Sequence, residues 1–232
     1  MSSDFTRVKD SISAEFDAFS NNYTEDMIKC VPYYQDILRS MVHDLPINFS
    51  PNAILDLGCG NGNIVALMAD RFPDAIYTLI DASEEMLDIC LKRFPNLKLN
   101  LVNTYFDDFS FSEESFDLVS AGFSLHHVDG SMKQRMFPKI YRCLKQGGIF
   151  TYGDLMISRE NADHPGLILE WERFVNANYP DGEKWEWLME HYNTFDRPDN
   201  FDDQILWLQS AQFSNVHTPW RTGYWVSMQA AK

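Results

Sequence analysis

Apolar and polar positions along the chain switch between a helical and a strand period, and the switches lay out the fold. Helical spacing predicts helices over Asp4–Phe19 and Thr24–His43. A short apolar run, Ala53–Leu57, then opens a series in which the two periods alternate, with a helix over Ile64–Arg71 and a strand over Ile76–Ile80. Ser83 ahead of Glu84-Glu85-Met86 is a plausible cap for a helix reaching Phe94, and Ser131 for one reaching Leu144, in which Pro138 predicts a kink. Strands that alternate with helices make a parallel sheet, because each crossover must carry the chain back to the same end. Beyond Asp154 the pattern changes. Helices are expected over Asp163–Asn178 and Glu183–Asn193, rich in Trp171, Trp185 and Trp187, then near Phe201–Gln212, before closing strands near Asn215–Pro219 and Gly223–Ala230.

Composition narrows the class. With 232 residues and 45% hydrophobic content, the chain is long enough to bury a full core as one domain. Its formal net charge of -15 repels a polyanion and no Lys/Arg cluster offsets it, so nucleic acid is not expected as a partner. The four cysteines show neither CxxC nor zinc spacing, Met1–Phe19 is too polar for a signal peptide, and no apolar run is long enough for a membrane span. The expectation is a reduced, cytoplasmic protein without a membrane partner, in which a homodimer remains open.

The chemistry concentrates in Ile54-Leu55-Asp56-Leu57-Gly58-Cys59-Gly60-Asn61-Gly62-Asn63, where an apolar strand runs into three alternate glycines and then a helix. Without a Cβ, Gly58, Gly60 and Gly62 let the backbone turn tightly and lie against a ligand, while the next helix presents free N–H groups and the positive end of its dipole. The dinucleotide fingerprint wants a third glycine where Asn63 stands, and the Gly-Lys-Ser/Thr of a P-loop is absent. The following strand ends in Asp81, roughly 20 residues on, where an acid can accept hydrogen bonds from a ribose.

This arrangement resembles the first motif of the class I methyltransferases that use S-adenosylmethionine (SAM), through Asp56, Gly58, Gly60 and Gly62. Further segments follow in the family's order. Phe116–Ala121 looks like its fourth strand, leading into Gly122-Phe123-Ser124-Leu125-His126-His127, and Ile140–Phe150 like its helix, Gly-Gly turn and fifth strand. The resemblance covers about residues 50 to 156. It implies a Rossmann-like α/β fold with a mostly parallel seven-stranded sheet and helices on both faces. The whole chain, 1–232, is then one domain, with an N-terminal helical cap over 1–45 and a helical insertion over 157–200 above the site.

The resemblance also implies roles. The glycine loop would lie along the methionine and ribose parts of SAM, Asp81 would take the ribose hydroxyls, and Ala82 and Met86 would touch the adenine. After the third strand, Leu97–Val102, the family's usual aspartate is replaced in register by Tyr105, with Phe106 able to stack on the ring and Asp107 as a substitute acceptor. Gly122, closing the fourth strand, completes the expected cofactor contacts. Tyr23 and the Pro32-Tyr33-Tyr34 segment resemble a pattern in small-molecule methyltransferases and in carboxy-SAM synthase, where the tyrosine matching Tyr34 contacts the cofactor's amino-acid end. That synthase also uses an arginine for the extra carboxylate; Met189 falls there, with Arg173 and Arg197 nearby.

Methyl transfer from SAM, leaving S-adenosylhomocysteine (SAH), needs a small-molecule acceptor held in line and water excluded. His126 is the candidate catalytic residue, with Asp154 and His191 as other groups able to take a proton. The metal-dependent catechol mechanism wants a carboxylate at the end of the fourth strand, where Ala121-Gly122 stands, so no metal is expected. Two alternatives stay open: an enzyme that modifies SAM itself, like carboxy-SAM synthase, and a SAM-binding protein that activates a partner.

Overall fold

The computed structural model describes residues 22–232, so the helix expected over Asp4–Phe19 lies outside the described residues. Within them are eight α-helices and seven strands. The strands are β1 (Ala53–Leu57), β2 (Ile76–Asp81), β3 (Lys98–Asn103), β4 (Phe116–Gly122), β5 (Leu144–Leu155), β6 (Ser214–Thr222) and β7 (Trp225–Ala231). They form one sheet in the order β3-β2-β1-β4-β5-β7-β6. β1 to β5 pair in parallel, while β7 runs antiparallel to both β5 and β6. Strand order reverses between β1 and β4, which opens a crevice at their carboxyl ends, where such sheets bind ligands.

Alternation along each strand explains why the sheet is covered on both sides. Ile54, Tyr77, Leu79 and Leu118 join one buried cluster, whereas Leu55, Leu57, Ile80, Val119 and Ala121 join the other. Helices α1 (Tyr23–Cys30), α2 (Tyr34–His43), α3 (Asn63–Arg71) and α4 (Glu84–Arg93) contribute to the first cluster. So do α6 (His164–Asn178) and α7 (Glu183–Phe195) from the late helical segment. α5 (Gly130–Cys143) and α8 (Phe201–Ser210) cover the opposite face.

Three departures from the sequence reading have local causes. The single helix expected over Thr24–His43 is broken into α1 and α2. Pro32 lacks an N–H and pushes Val31 out of the helical region, to φ -110° and ψ 111°, and Tyr33 turns left-handed at φ 60°. Tyr34 thereby opens a helix of its own, as Tyr23 opens α1. The Gly147-Gly148 turn is a register shift inside a continuous twelve-residue β5, with Gly147 at φ 78°. At α5 the cap is Asp129, whose carboxylate accepts from Met132 N at 2.8 Å, while Ser131 is already helical and donates to that carboxylate. α5 runs through Pro138 to Cys143. Asp129→Ala is expected to cost about 1 kcal/mol of stability and Ser131→Ala only a few tenths, as read by chemical denaturation. The reverse ranking would show that the serine is the cap.

Candidate functional site

The glycine loop is held to the end of β2 by its own amides: Gly58 N and Cys59 N donate to Ile80 O at 2.9 and 3.0 Å. Gly58, Gly60 and Gly62 have φ of 68°, 51° and 83°, a region that side-chain-bearing residues rarely adopt. Asp81, at the carboxyl end of β2, accepts from Gly60 N at 2.8 Å and from Ser83 N at 2.9 Å, so it ties the loop to the start of α4. Ser83 in turn caps α4 by accepting from Met86 N.

α1 closes over this loop. The Tyr23 ring lies on Gly60, within 3.7 Å of where a Cβ would stand. Thr24 Oγ1 donates to Asn63 Oδ1 at 2.8 Å and accepts from Asn61 Nδ2 at 2.7 Å, while Asn63 Nδ2 donates to Tyr34 Oη at 3.0 Å. Arg93 braces the same asparagines from α4. Burial pushes the Tyr34 hydroxyl up to about 12, and burial together with Tyr34 and Asp81 raises Tyr23. Both tyrosines are therefore neutral hydrogen-bonding groups. Thr24, Asn61, Asn63 and Arg93 carry no sequence signal of their own, since their partners lie about 30 or more residues away.

The other expected contacts fall at different depths. Ala82 is half-buried and Met86 fully buried beside Asp81. Asn103 Nδ2 donates to the carbonyls of Asp81 and Ala82, fixing the end of β3 against them. Tyr105 opens a turn whose carbonyl accepts from Asp108 N and Phe109 N, and the Phe106 ring lies against Gly58. Asp107 is half-buried in that turn. Two residues lie behind the loop. Gly122 gives its open side to Leu38 and Ile64, so its missing side chain makes room for α2 and α3. Asp56 is fully buried, with Oδ1 accepting from Ser120 Oγ at 2.6 Å. Burial pushes it up to about 7 against that hydrogen bond.

Beside the loop lies a cavity roofed by α1, α6 and α7. Tyr23, Met27, Phe123, Trp171, Trp187 and Trp225 form much of its wall. At one side it gathers all three expected proton acceptors, His126, Asp154 and His191, together with His127 and Asp196. His126 and His127 sit on a 3₁₀ turn after β4, Asp154 is near the end of β5, and Asp196 follows α7. His126 Nδ1 pairs with Asp154 Oδ1 at 2.5 Å, and His126 N donates to Asp154 Oδ2 at 3.0 Å. Asp196 Oδ1 faces His127 Nδ1 at 3.2 Å, His191 Nε2 at 3.6 Å and His126 Nε2 at 3.7 Å.

Burial opposes a charge on His126, but the Asp154 and Asp196 carboxylates outweigh it and lift the ring to about 9. Burial and the neighbouring His126 push His127 down to about 4. Asp196 is held below its usual range despite burial, because the His126, His127 and His191 rings surround it. Asp196 had no visible signature in the sequence; only the fold of α7 over the histidine turn brings it in.

Comparison with known proteins places this geometry. The profile of a family described as a methyltransferase domain matches residues 54–148, the stretch from β1 to the middle of β5. The carboxy-S-adenosyl-L-methionine synthase of Campylobacter fetus is 30% identical over 166 residues, covering 70% of this chain and 70% of that one. The trans-aconitate 2-methyltransferase of an Acidovorax species is 37% identical over 132 residues, covering 57% of this chain and about half, 48%, of its relative. Among solved structures, a SAM-dependent methyltransferase from Thermotoga maritima superposes with a TM-score of 0.64 at 18% identity, covering 95% of this chain and 99% of that one. The phosphoethanolamine N-methyltransferase 2 of Haemonchus contortus in complex with SAM gives 0.57 at 16% identity, over 87% of this chain and 43% of its own. No helix among the described residues is long and apolar enough to cross a membrane.

Proposed function

The chain belongs to the SAM-dependent methyltransferase family, and from that premise we propose that it methylates a small-molecule acceptor bound in the aromatic cavity between α1, α6 and α7. One observation carries the reading: Tyr23 lies on Gly60 of the cofactor loop and also lines the cavity. A ligand on the loop and a ligand in the cavity would therefore meet at one side chain.

The residues present fit SAM. The main chain at Gly58 and Gly60 has no side chain to fend off the cofactor, and the start of α3 offers its free amides nearby. Asp81 would accept the ribose hydroxyls, since its carboxylate stands at the rim of the loop, accepting from Gly60 N and Ser83 N. Ala82 and Met86 would line the adenine, Phe106 and Tyr105 its outer edge, and Tyr23 and Tyr34 the amino-acid end. Asp56 and Gly122 support the loop from behind. When bound, SAM supplies a methyl group already activated on a sulfonium. The protein then excludes water with Trp171, Trp187 and the closed α1, and orients the acceptor. His126, the proposed catalytic residue, would hold the acceptor's heteroatom from the histidine side of the cavity.

The test is thermal unfolding with SAH. At about 100 times its dissociation constant the ligand should stabilise wild type by about 2.7 kcal/mol, and Asp81→Ala should lose most of that shift. An identical response from both proteins would sink the ribose assignment. SAH formed from SAM across a broad acceptor panel separates an enzyme from a binding protein.

A second reading, synthesis of a carboxylated SAM, is favoured by the Campylobacter relative. Against it, no arginine lines the cavity among the described residues. Arg173 is exposed and the Arg197 guanidinium is spent on the carbonyls of Asp196 and Thr194. Mass spectrometry of copurified ligand decides, an added carboxylate mass supporting the synthase.

A further inference from the structure

We propose that His126 Nε2, His127 Nδ1 and Asp196 Oδ1 bind a divalent first-row transition-metal ion such as Zn²⁺ at the histidine side of the acceptor cavity. His191 Nε2 stands by as a fourth donor. No metal is expected from the residues alone, since Ala121-Gly122 and not a carboxylate closes β4. The carboxylate comes instead from beyond α7.

Convergence is the first argument. One donor atom from each of these three residues lies within 4.8 Å of the other two. Asp196 Oδ1 is buried without a hydrogen bond, yet three imidazole nitrogens surround it at 3.2, 3.6 and 3.7 Å. The rings already hold this carboxylate ionised, and a cation at the centre of the group would be met by all of these donors at once. Spacing is the second. Zinc–ligand bonds of about 2.0–2.1 Å in a tetrahedron put donors roughly 3.3 Å apart, close to what the resting side chains already show.

The outer partners are the third argument. A metal-bound histidine commonly gives its other ring nitrogen to a carboxylate, which fixes its tautomer and orientation. His126 does this with Asp154, leaving Nε2 turned to Asp196. Arg197 N donates to His126 O at 2.6 Å, pinning the segment after α7 to the histidine turn. The nearby Lys133 ammonium is tied to Asp199 Oδ2 and Arg197 O and does not fill the space between the donors. Two imidazoles and one carboxylate, with coordination positions left over, suit zinc, iron(II) or cobalt(II) more than magnesium or calcium. If the acceptor does occupy this cavity, as proposed above, an oxygen or sulfur on it is the natural further ligand.

The test needs no turnover. Tag-free protein is stripped with chelator and titrated with Co²⁺. We expect a visible ligand-field band saturating at one ion per chain and displaced by Zn²⁺. Asp196→Asn and His127→Ala should abolish the band, and Asp154→Asn should weaken binding about 10- to 100-fold. SAH should still raise the melting temperature of Asp196→Asn as it does wild type, which shows a folded protein and keeps this result separate from the cofactor assignment. No band in wild type, or an undiminished band in Asp196→Asn, overturns the metal site.

Discussion

Gly58→Ala is expected to lower stability by about 2–5 kcal/mol and to abolish the response to SAH. Two costs add. At φ 68° a side-chain-bearing residue meets a left-handed penalty of about 1–2 kcal/mol. The new methyl would also stand 2.6 Å from Ser124 Cβ and 3.1 Å from Phe106 Cζ, an overpacking that costs about 1–3 kcal/mol. Ser124 cannot rotate away, because the clash is with its Cβ and its hydroxyl donates to Leu57 O at 2.6 Å. Gly147→Ala is the control: φ is 78° there, but nothing lies within 4 Å of the added atom. Only the backbone penalty applies, about 1–2 kcal/mol. In a domain of this size each kcal/mol moves the melting temperature by about 2–4 °C, so calorimetry resolves the two. Equal losses would mean that the loop yields, and that close approach at Gly58 is not what the glycine provides.

Asp56→Asn is expected to be more stable than wild type at pH 8, by roughly 1–3 kcal/mol, and to flatten the dependence of stability on pH. Asp56 is fully buried with one hydrogen bond, from Ser120, and its Oδ2 has no partner. Burial holds its acid form to about pH 7 in the folded protein, against about 4 when unfolded. The sign follows from proton binding. Between pH 4 and 7 the folded state retains a proton that the unfolded state has released, so stability falls as pH rises and levels off above 7. A shift of about three units is worth about 4 kcal/mol at its limit, and the asparagine amide returns part of that as a donor needing a partner. Urea unfolding at pH 5 to 8 measures it. Parallel curves for the two proteins would show that Asp56 ionises readily in place. The cost of a buried acid beneath the cofactor loop fits a group kept for its position there and not for stability.

The parts of this protein that were legible share a physical property: their causes are local. β1 matches the expected Ala53–Leu57, and β2 runs from Ile76 to the expected Asp81, because a strand buried on both faces is written as a short apolar run of consecutive residues. All three alternate glycines take positive φ, which only the absence of a side chain makes cheap. Ser83 caps α4 as its position implies. Where two local signals competed, the stronger geometry won. Pro32 outweighed a continuous apolar stripe and split the first helix, and Asp129 rather than Ser131 had the extended backbone a cap requires.

The histidine side of the cavity was legible only as separate pieces. His126 and His127 stand together in the chain, but nothing near them announces Asp196, some 70 residues on. Its placement depends on α7 settling over the cavity, on Trp171 donating to Cys30 O, and on Arg197 N reaching the carbonyl of His126. Such contacts leave no period, because they join segments whose separation along the chain is arbitrary. Local sequence was therefore enough for the strand–helix series, the glycine loop and the acid at its rim, which follow from backbone preference and from runs of apolar residues buried against helices on both faces. Tertiary structure alone decided which buried polar groups would share one enclosed volume, because their electrostatics depend on distances that exist only after the helices have packed.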